Sequence, residues 1–314
     1  MPRPLRSLDL CCVLLLLIAG NWGWTARAIN DPDSIRKAAR DNPQSLVRTA
    51  VRKELADSYG LRQPLRYRIR KISEHLDTTK EIVETKEGGV ACLVAMDGRP
   101  LTPNAIAVEH ARLEKLRSSP SLQEHRRIRE QDDAAHMENL LRVLPEAFRY
   151  QYVGLIPTAA GPAFRLAFEP NPHFSPPGYE ARALRGMRGE MWIDQRQQRI
   201  VRFDAHLFRD VDFGWGILGY VDKGGGLLIE QKKVADSMWT LAKMQLSVTG
   251  RALMVKSIKI AVEETATDYQ KVPDNFTYQQ AIDLLLHENC GATSIVPARV
   301  HDQRLQGQHL PDQQ

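Results

Sequence analysis

From Phe148 to Tyr269 the chain alternates apolar and polar residues, or enriches β-branched and aromatic ones, for more than 100 residues. The segments FRYQYVGLI, PAFRLAFEP, GEMWIDQ, QRIVRFDAHL, LLIEQKKV, SMWTLAKMQLSVTG and ALMVKSIKIAVEETATDY each read as a strand, with turn residues between them. Successive side chains of a strand point to opposite faces, so this period is that of a half-buried sheet. No segment of helical period intervenes, and parallel strands need such a crossover. The strands must therefore be antiparallel. A sheet this long curls, and the expected class is α+β: a large curved antiparallel sheet, an incomplete β-barrel.

The part before this run supplies helices and three further strands. SLVRTAVRKELADSYG (Ser45–Gly60) places Leu46, Val47, Ala50, Val51 and Leu55 at helical spacing, with Gly60 as the stop. LRYRIRKIS, TKEIVETK and GGVACLVAMDG then alternate, with turn signals at Asp77, Gly88-Gly89 and Asp97-Gly98. Thr102-Pro103 reads as an N-cap followed by a first-turn proline. Ser121 and Glu124 read as a capping box for a second, heavily charged helix that Pro145 ends. Residues 102–144 are thus an inserted helical hairpin, expected to cover one face of the sheet together with the N-terminal helix. The charge run EHRRIREQDD within it is that of a solvated helix face.

The first 28 residues have the form of a cleaved secretory signal. Arg3 and Arg6 precede an apolar run, Cys11–Gly20, that is too short to cross a bilayer, and Ala26-Arg27-Ala28 offers the small residues of a cleavage site. Cleavage after Ala28 places the mature chain in the periplasm or outside the cell, where disulfides persist. Cys92 and Cys290 then remain: either they pair, or both are small buried hydrophobes. The leader carries Arg3, Arg6, Arg27 and Asp9, so 40 basic and 37 acidic residues are left. That balance gives no electrostatic case for nucleic acid. Residues 29–290 form a single domain on this reading, and the polar, patternless stretch 291–314 is expected to be disordered.

Several motifs of chemistry fail on context. Gly214, Gly216 and Gly219 in VDFGWGILGYVDKGGG match G-x-G-x-x-G numerically. A dinucleotide fingerprint needs a helix directly after it, and here YVDKGGGLLIEQ follows. No nucleotide is expected; the glycines serve a strand–loop–strand connection. The nine histidines form no tight ligand pattern, so no metal or other cofactor is expected. His287 and Cys290 in HENC lack the setting of a nucleophilic pair, and no G-x-S-x-G elbow occurs. The chain does not read as an enzyme. Trp192, Phe203, Phe213, Trp215, Tyr220 and Trp239 crowd the sheet region and are the candidates to line an apolar cavity or to fill the core.

GEMWIDQRQQRIVRF adds a resemblance. Gly189, Trp192, Ile193 and Asp194, a short polar turn, then Ile200, Val201 and Arg202 resemble the strand pair of the bacterial outer-membrane lipoprotein-sorting (LolA-like) superfamily. MDGRPLTP and VDFGWGILGYVDKGGG are similar to a secreted bacterial subgroup of it, and the likeness spans Ser45–Ala281. It implies an incomplete barrel capped by helices, with an apolar cavity for acyl chains. No motif here places the carriers' functional arginine. The resulting expectation is a periplasmic protein that binds a lipid or an acylated lipoprotein without catalysis. The alternative is an envelope interaction or stress-sensor module with a filled core, docking through the hairpin.

Overall fold

The computed structural model describes residues 32–58, 63–213, 219–252 and 256–291. The expected leader, the stretch 292–314, Gly60, and Gly214 to Leu218 with Trp215 lie outside these residues. Thirteen strands form one antiparallel sheet that is not closed into a barrel. The N-terminal meander comprises β1 (Leu65–Ser73), β2 (Leu76–Val83), β3 (Val90–Met96) and the two-residue β4 (Arg99–Pro100). The long run supplies β5 (Phe148–Thr158), β6 (Gly161–Pro170), β7 (Met187–Asp194), β8 (Ile200–Leu207), β9 (Val211–Phe213), β10 (Gly219–Val221), β11 (Gly226–Ala235), β12 (Met238–Ala252) and β13 (Lys256–Lys271). The spatial order is β4-β3-β2-β1-β13-β12-β11-β8-β7-β6-β5, with β9 and β10 paired beside β12. The last strand thus returns beside the first, from Leu65↔Lys271 to Ser73↔Val262, which joins both runs of strands in one sheet.

Two helices, not one, precede the sheet: α1 (Pro32–Asp41) and α2 (Pro43–Ser58). Asn42 separates them, and its Oδ1 accepts from the Ser45 N–H at 3.0 Å. All five apolar positions read in α2 are buried. They meet Phe148 and Tyr150 of β5, Phe164, Leu166 and Phe168 of β6, Met191 and Ile193 of β7, and Phe203 of β8 in the larger core. Phe168 stacks on Phe203 with ring centroids 5.1 Å apart. Each fully buried side chain of this size contributes about 1.5–3 kcal/mol.

The inserted helices are α3 (Pro103–Arg117) and α4 (Pro120–Ala147). Thr102 caps α3 through the Ala105 N–H. The expected capping box of α4 is not its start: Ser119 precedes the first turn, and Glu124 instead holds the Arg127 Nε at 2.7 Å. Nor does Pro145 end it. The helix runs on to Ala147, because a proline in the last turn interrupts a single intrahelical bond. The first hairpin turns at Glu74-His75, not at Asp77; Asp77 lies within β2 and its carboxylate pairs with Arg70 across the strands at 2.7 Å. The proline-rich loop contains a short helix α5 (Tyr179–Arg182) and a 3₁₀ turn, Ala183–Gly186.

Strand alternation shows how the helices are shared out. Ile82 and Ala91 pair across β2 and β3 on the face that α2 and α4 cover, whereas Val83, Val90, Cys92 and Val94 point the other way. There they pack against Leu113 and Leu116 of α3 and against α6 (Tyr278–His287), a helix that the sequence reading passed over. The two helices of the insert therefore part around the β3 edge. A disulfide joins Cys92 of β3 to Cys290 just beyond α6, with Cα atoms 6.4 Å apart.

The edge itself is sealed by the insert. Glu109 of α3 accepts the Leu93 N–H at 2.7 Å, and Arg112 donates to the Ala91 carbonyl. On α4, Arg126 donates to the Gly89 carbonyl at 3.0 Å, and Glu130 accepts the Gly89 N–H at 2.9 Å. Backbone groups that would otherwise template another strand are thereby occupied.

Candidate functional site

Between the two cores the concave face holds a cavity of about 1070 Å³. Its floor is apolar and half-buried: Tyr67 of β1, Ile82 of β2, Ile229 of β11 and Leu241 of β12, with Trp239 beside them at 2 % exposure. Tyr67 stacks on Tyr269 of β13 at 5.1 Å. Glu54 and Asp57 of α2 and Arg126, Glu130 and Ala134 of α4 form walls.

The α2 wall is organised by the tip of the β7–β8 hairpin. Asp194 closes the W-I-D motif, and its Oδ1 accepts the Arg196 N–H at 3.1 Å and the Gln197 N–H. This Asx-type turn delivers Arg199 towards α2. The Arg199 guanidinium donates to Glu54 at 2.9 and 2.7 Å and also to Asp57. Glu54 further accepts the Ile200 N–H at 2.9 Å and the Gln231 amide at 3.1 Å. Both members of the pair are buried, with side chains 8 % and 9 % exposed. Burial alone would lower the Arg199 pKa, but the hydrogen bonds and charges of Glu54 and Asp57 hold it above the ordinary guanidinium value. Next door, burial and then the Arg199 charge push Lys53 down; its Nζ donates to the Gln197 carbonyl at 2.6 Å. Gln197 also accepts from the Trp239 indole N–H. One turn thus fixes both a helix and an aromatic of the cavity.

Most charges around the cavity already have protein partners. Glu54 and Asp57 hold Arg199, Glu130 and Arg126 hold the β3 edge, and Glu84 accepts the Leu65 N–H at 3.0 Å. Burial holds the Arg126 pKa below its usual value. A guest in the cavity therefore meets the apolar floor beside polar walls whose charges are mostly paired, with Lys86 and Asp274 also lining it. Among the described residues, no group of three or more His, Cys, Asp or Glu is arranged to hold a metal ion.

The six aromatics named from the sequence are not gathered in one place. Trp239 lies at the cavity. Phe203 belongs to the larger core beneath α2 and α4. Trp192 stands on the opposite face: its indole N–H donates to Glu190 at 3.3 Å, and the Arg202 guanidinium sits 5.0 Å from its ring centroid. The signal was in the register, because Met191 and Ile193 are both fully buried and a strand cannot send three neighbours inward. Tyr220 is half-buried in β10, opposite Arg251. The backbone of Phe213 ends β9, while its side chain and Trp215 lie outside the described residues. Gly219, the last glycine of the numerical fingerprint, has φ 133° and pairs with Phe213 in a strand ladder, with no helix after it.

Sequence reasoning missed the α2 wall, although a clue existed. Glu54 falls on the buried stripe of α2 with Val47, Ala50 and Val51, and a carboxylate in such a stripe needs a cationic partner. That partner is 145 residues away, which no local pattern reveals.

No family model matches the chain, and no curated protein does. Two solved structures are similar to it. One is a domain assigned to outer membrane lipoprotein sorting from Vibrio parahaemolyticus, at 9% identity and TM-score 0.28 over 76% of this chain and 99% of that one. The other is a DUF1329 family protein from Desulfovibrio piger, at 10% identity and TM-score 0.28 over 74% and 92%.

Proposed function

We propose that the chain is an exported envelope protein that holds a lipid, or the acyl chain of a lipoprotein, in the concave cavity and does no chemistry on it. The observation that carries this reading is the cavity: about 1070 Å³, floored by Tyr67, Ile82, Ile229 and Leu241 beside Trp239, with most of the charges in its walls paired internally. That volume lies just above the range of about 300–1,000 Å³ found for small-molecule sites. Burial of acyl chain supplies about 0.8 kcal/mol per CH₂, and it must exceed the cost of ordering the chain.

Titration with a fluorescent fatty acid tests this. Saturable one-to-one uptake is expected, abolished by Leu241→Arg, which fills the floor with a charge. No uptake by the wild-type protein, or equal uptake by the variant, would sink the proposal.

A second reading has its own observation. Val108 on α3 and Met137 on α4 are 64 % and 54 % exposed, each offering an apolar contact to an envelope protein partner. Deleting the insert would remove Leu144 and Ala147 from the core, so the better probe is Val108→Glu with Met137→Glu. Loss of a cross-linked partner in that variant, with fatty-acid uptake absent throughout, would favour this second role.

A further inference from the structure

A surface at the opposite end of the same strands has a different chemistry. Trp239 and Arg199 mark the cavity end of β12 and β8; Met187 begins β7 and Leu207 ends β8 far from it. Here three arginines lie against two exposed aromatic rings, and the exposed Arg185 lies beside them. Tyr179 is 57 % exposed, and the Arg182 guanidinium lies 4.9 Å from its ring centroid. Phe208 is 38 % exposed and lies between Arg188 and Arg209, at 5.3 and 5.4 Å. Arg209 donates to the Arg185 carbonyl at 2.6 Å, which joins the two groups into one patch, and Arg188 donates to His206 at 3.2 Å.

Among the described residues no carboxylate neutralises these arginines. On the same sheet Arg165 pairs with Glu190, and Arg202 pairs with Asp204 and Glu230. Arg182, Arg185, Arg188 and Arg209 make no ion pair among the described residues, although Glu180, Asp210 and Asp212 are close in sequence. Asp210 instead accepts the Lys223 N–H at 2.7 Å. A guanidinium presents a planar fork of donors that fits a phosphate, and an exposed ring beneath it sits well at the level of lipid headgroups.

We infer that this patch docks the protein on an anionic phospholipid bilayer, with the guanidinium groups on headgroup phosphates and Phe208 and Tyr179 at the interface. The inference is independent of the cavity.

Co-sedimentation tests it, with vesicles of equimolar phosphatidylcholine and phosphatidylglycerol against phosphatidylcholine alone. Binding to the anionic vesicles only is expected, and it weakens as salt is raised. Each basic group at an anionic surface is worth about fivefold in binding. Replacing Arg182, Arg185, Arg188 and Arg209 by Gln should therefore weaken binding by roughly 600-fold if all four reach the headgroups and by at least about 25-fold if two do, with the melting temperature unchanged. If that variant does not fold, Phe208→Ala and the salt series of the wild-type protein decide: a weaker Phe208→Ala and a steep salt dependence support the proposal. Equal binding to both vesicle types, no salt dependence, or loss of vesicle binding in Leu241→Arg would overturn it. So would capture of an acidic envelope protein by the patch with no vesicle binding.

Discussion

Arg199→Met removes the cation that holds α2 to the β7–β8 turn. Glu54 would keep the Ile200 N–H at 2.9 Å and the Gln231 amide at 3.1 Å but lose both of its guanidinium bonds while remaining buried. Removing one partner of a buried ion pair costs about 3–5 kcal/mol. Because two neutral donors remain, the expected loss is near the lower end, about 3 kcal/mol. In a domain of this size 1 kcal/mol moves the melting temperature by about 2–4 °C, so a fall of about 6–12 °C should follow. Glu54→Gln on top of Arg199→Met keeps an acceptor for the Ile200 N–H and removes the stranded charge. The double variant should therefore recover to within about 1 kcal/mol of the parent, about 2 kcal/mol above Arg199→Met alone. Urea unfolding followed by tryptophan fluorescence and far-UV circular dichroism measures both. An Arg199→Met protein within about 0.5 kcal/mol of the parent, or strictly additive substitutions, would refute the assignment of this pair as the tie between helix and sheet.

Other perturbations probe separate links. The disulfide closes a loop with a sequence separation of 198, for which chain entropy alone gives about 5 kcal/mol. Cys92→Ala with Cys290→Ala should lower stability by about 2–5 kcal/mol in chemical denaturation, and reductant should have no further effect on that variant. A Cβ at Gly189 would overlap the Asp204 carbonyl on the neighbouring strand, so Gly189→Ala should cost about 1–3 kcal/mol by the same assay. Hydrogen bonds from Arg66 hold the Glu288 pKa below the usual carboxylate value, and those from Arg165 and then Trp192 do the same for Glu190. A depressed carboxylate pKa contributes stability that is fully present above about pH 4.3 and is lost as the pH falls below it. Thermal melts should therefore decline in acid, and less so in the Glu288→Gln variant.

What the sequence revealed depended on how locally each feature is encoded. Seven segments from Phe148 onward were legible because period two is a property of neighbours. Thr102-Pro103 and Asp97-Gly98 were legible because a cap and a tight turn need particular side chains, and Asp97 and Gly98 indeed have φ of 50° and 69°. α1 was missed because only Ile35 and Ala39 of its apolar residues turn inward in a charged stretch. α6 was passed over although Thr277 and Gln280 form a reciprocal capping box. The cavity was the least legible feature. Its floor comes from β1, β2, β11 and β12, which meet only because β13 returns beside β1, and its α2 wall depends on a contact spanning 145 residues.

Native mass spectrometry of the protein purified from a bacterial envelope without detergent tests the central claim most directly. The cavity account expects a one-to-one adduct with the mass of an acylated lipid, displaced by added fatty acid and missing from Leu241→Arg. A bare polypeptide mass under the same conditions, with no adduct after incubation with envelope lipids, would contradict it.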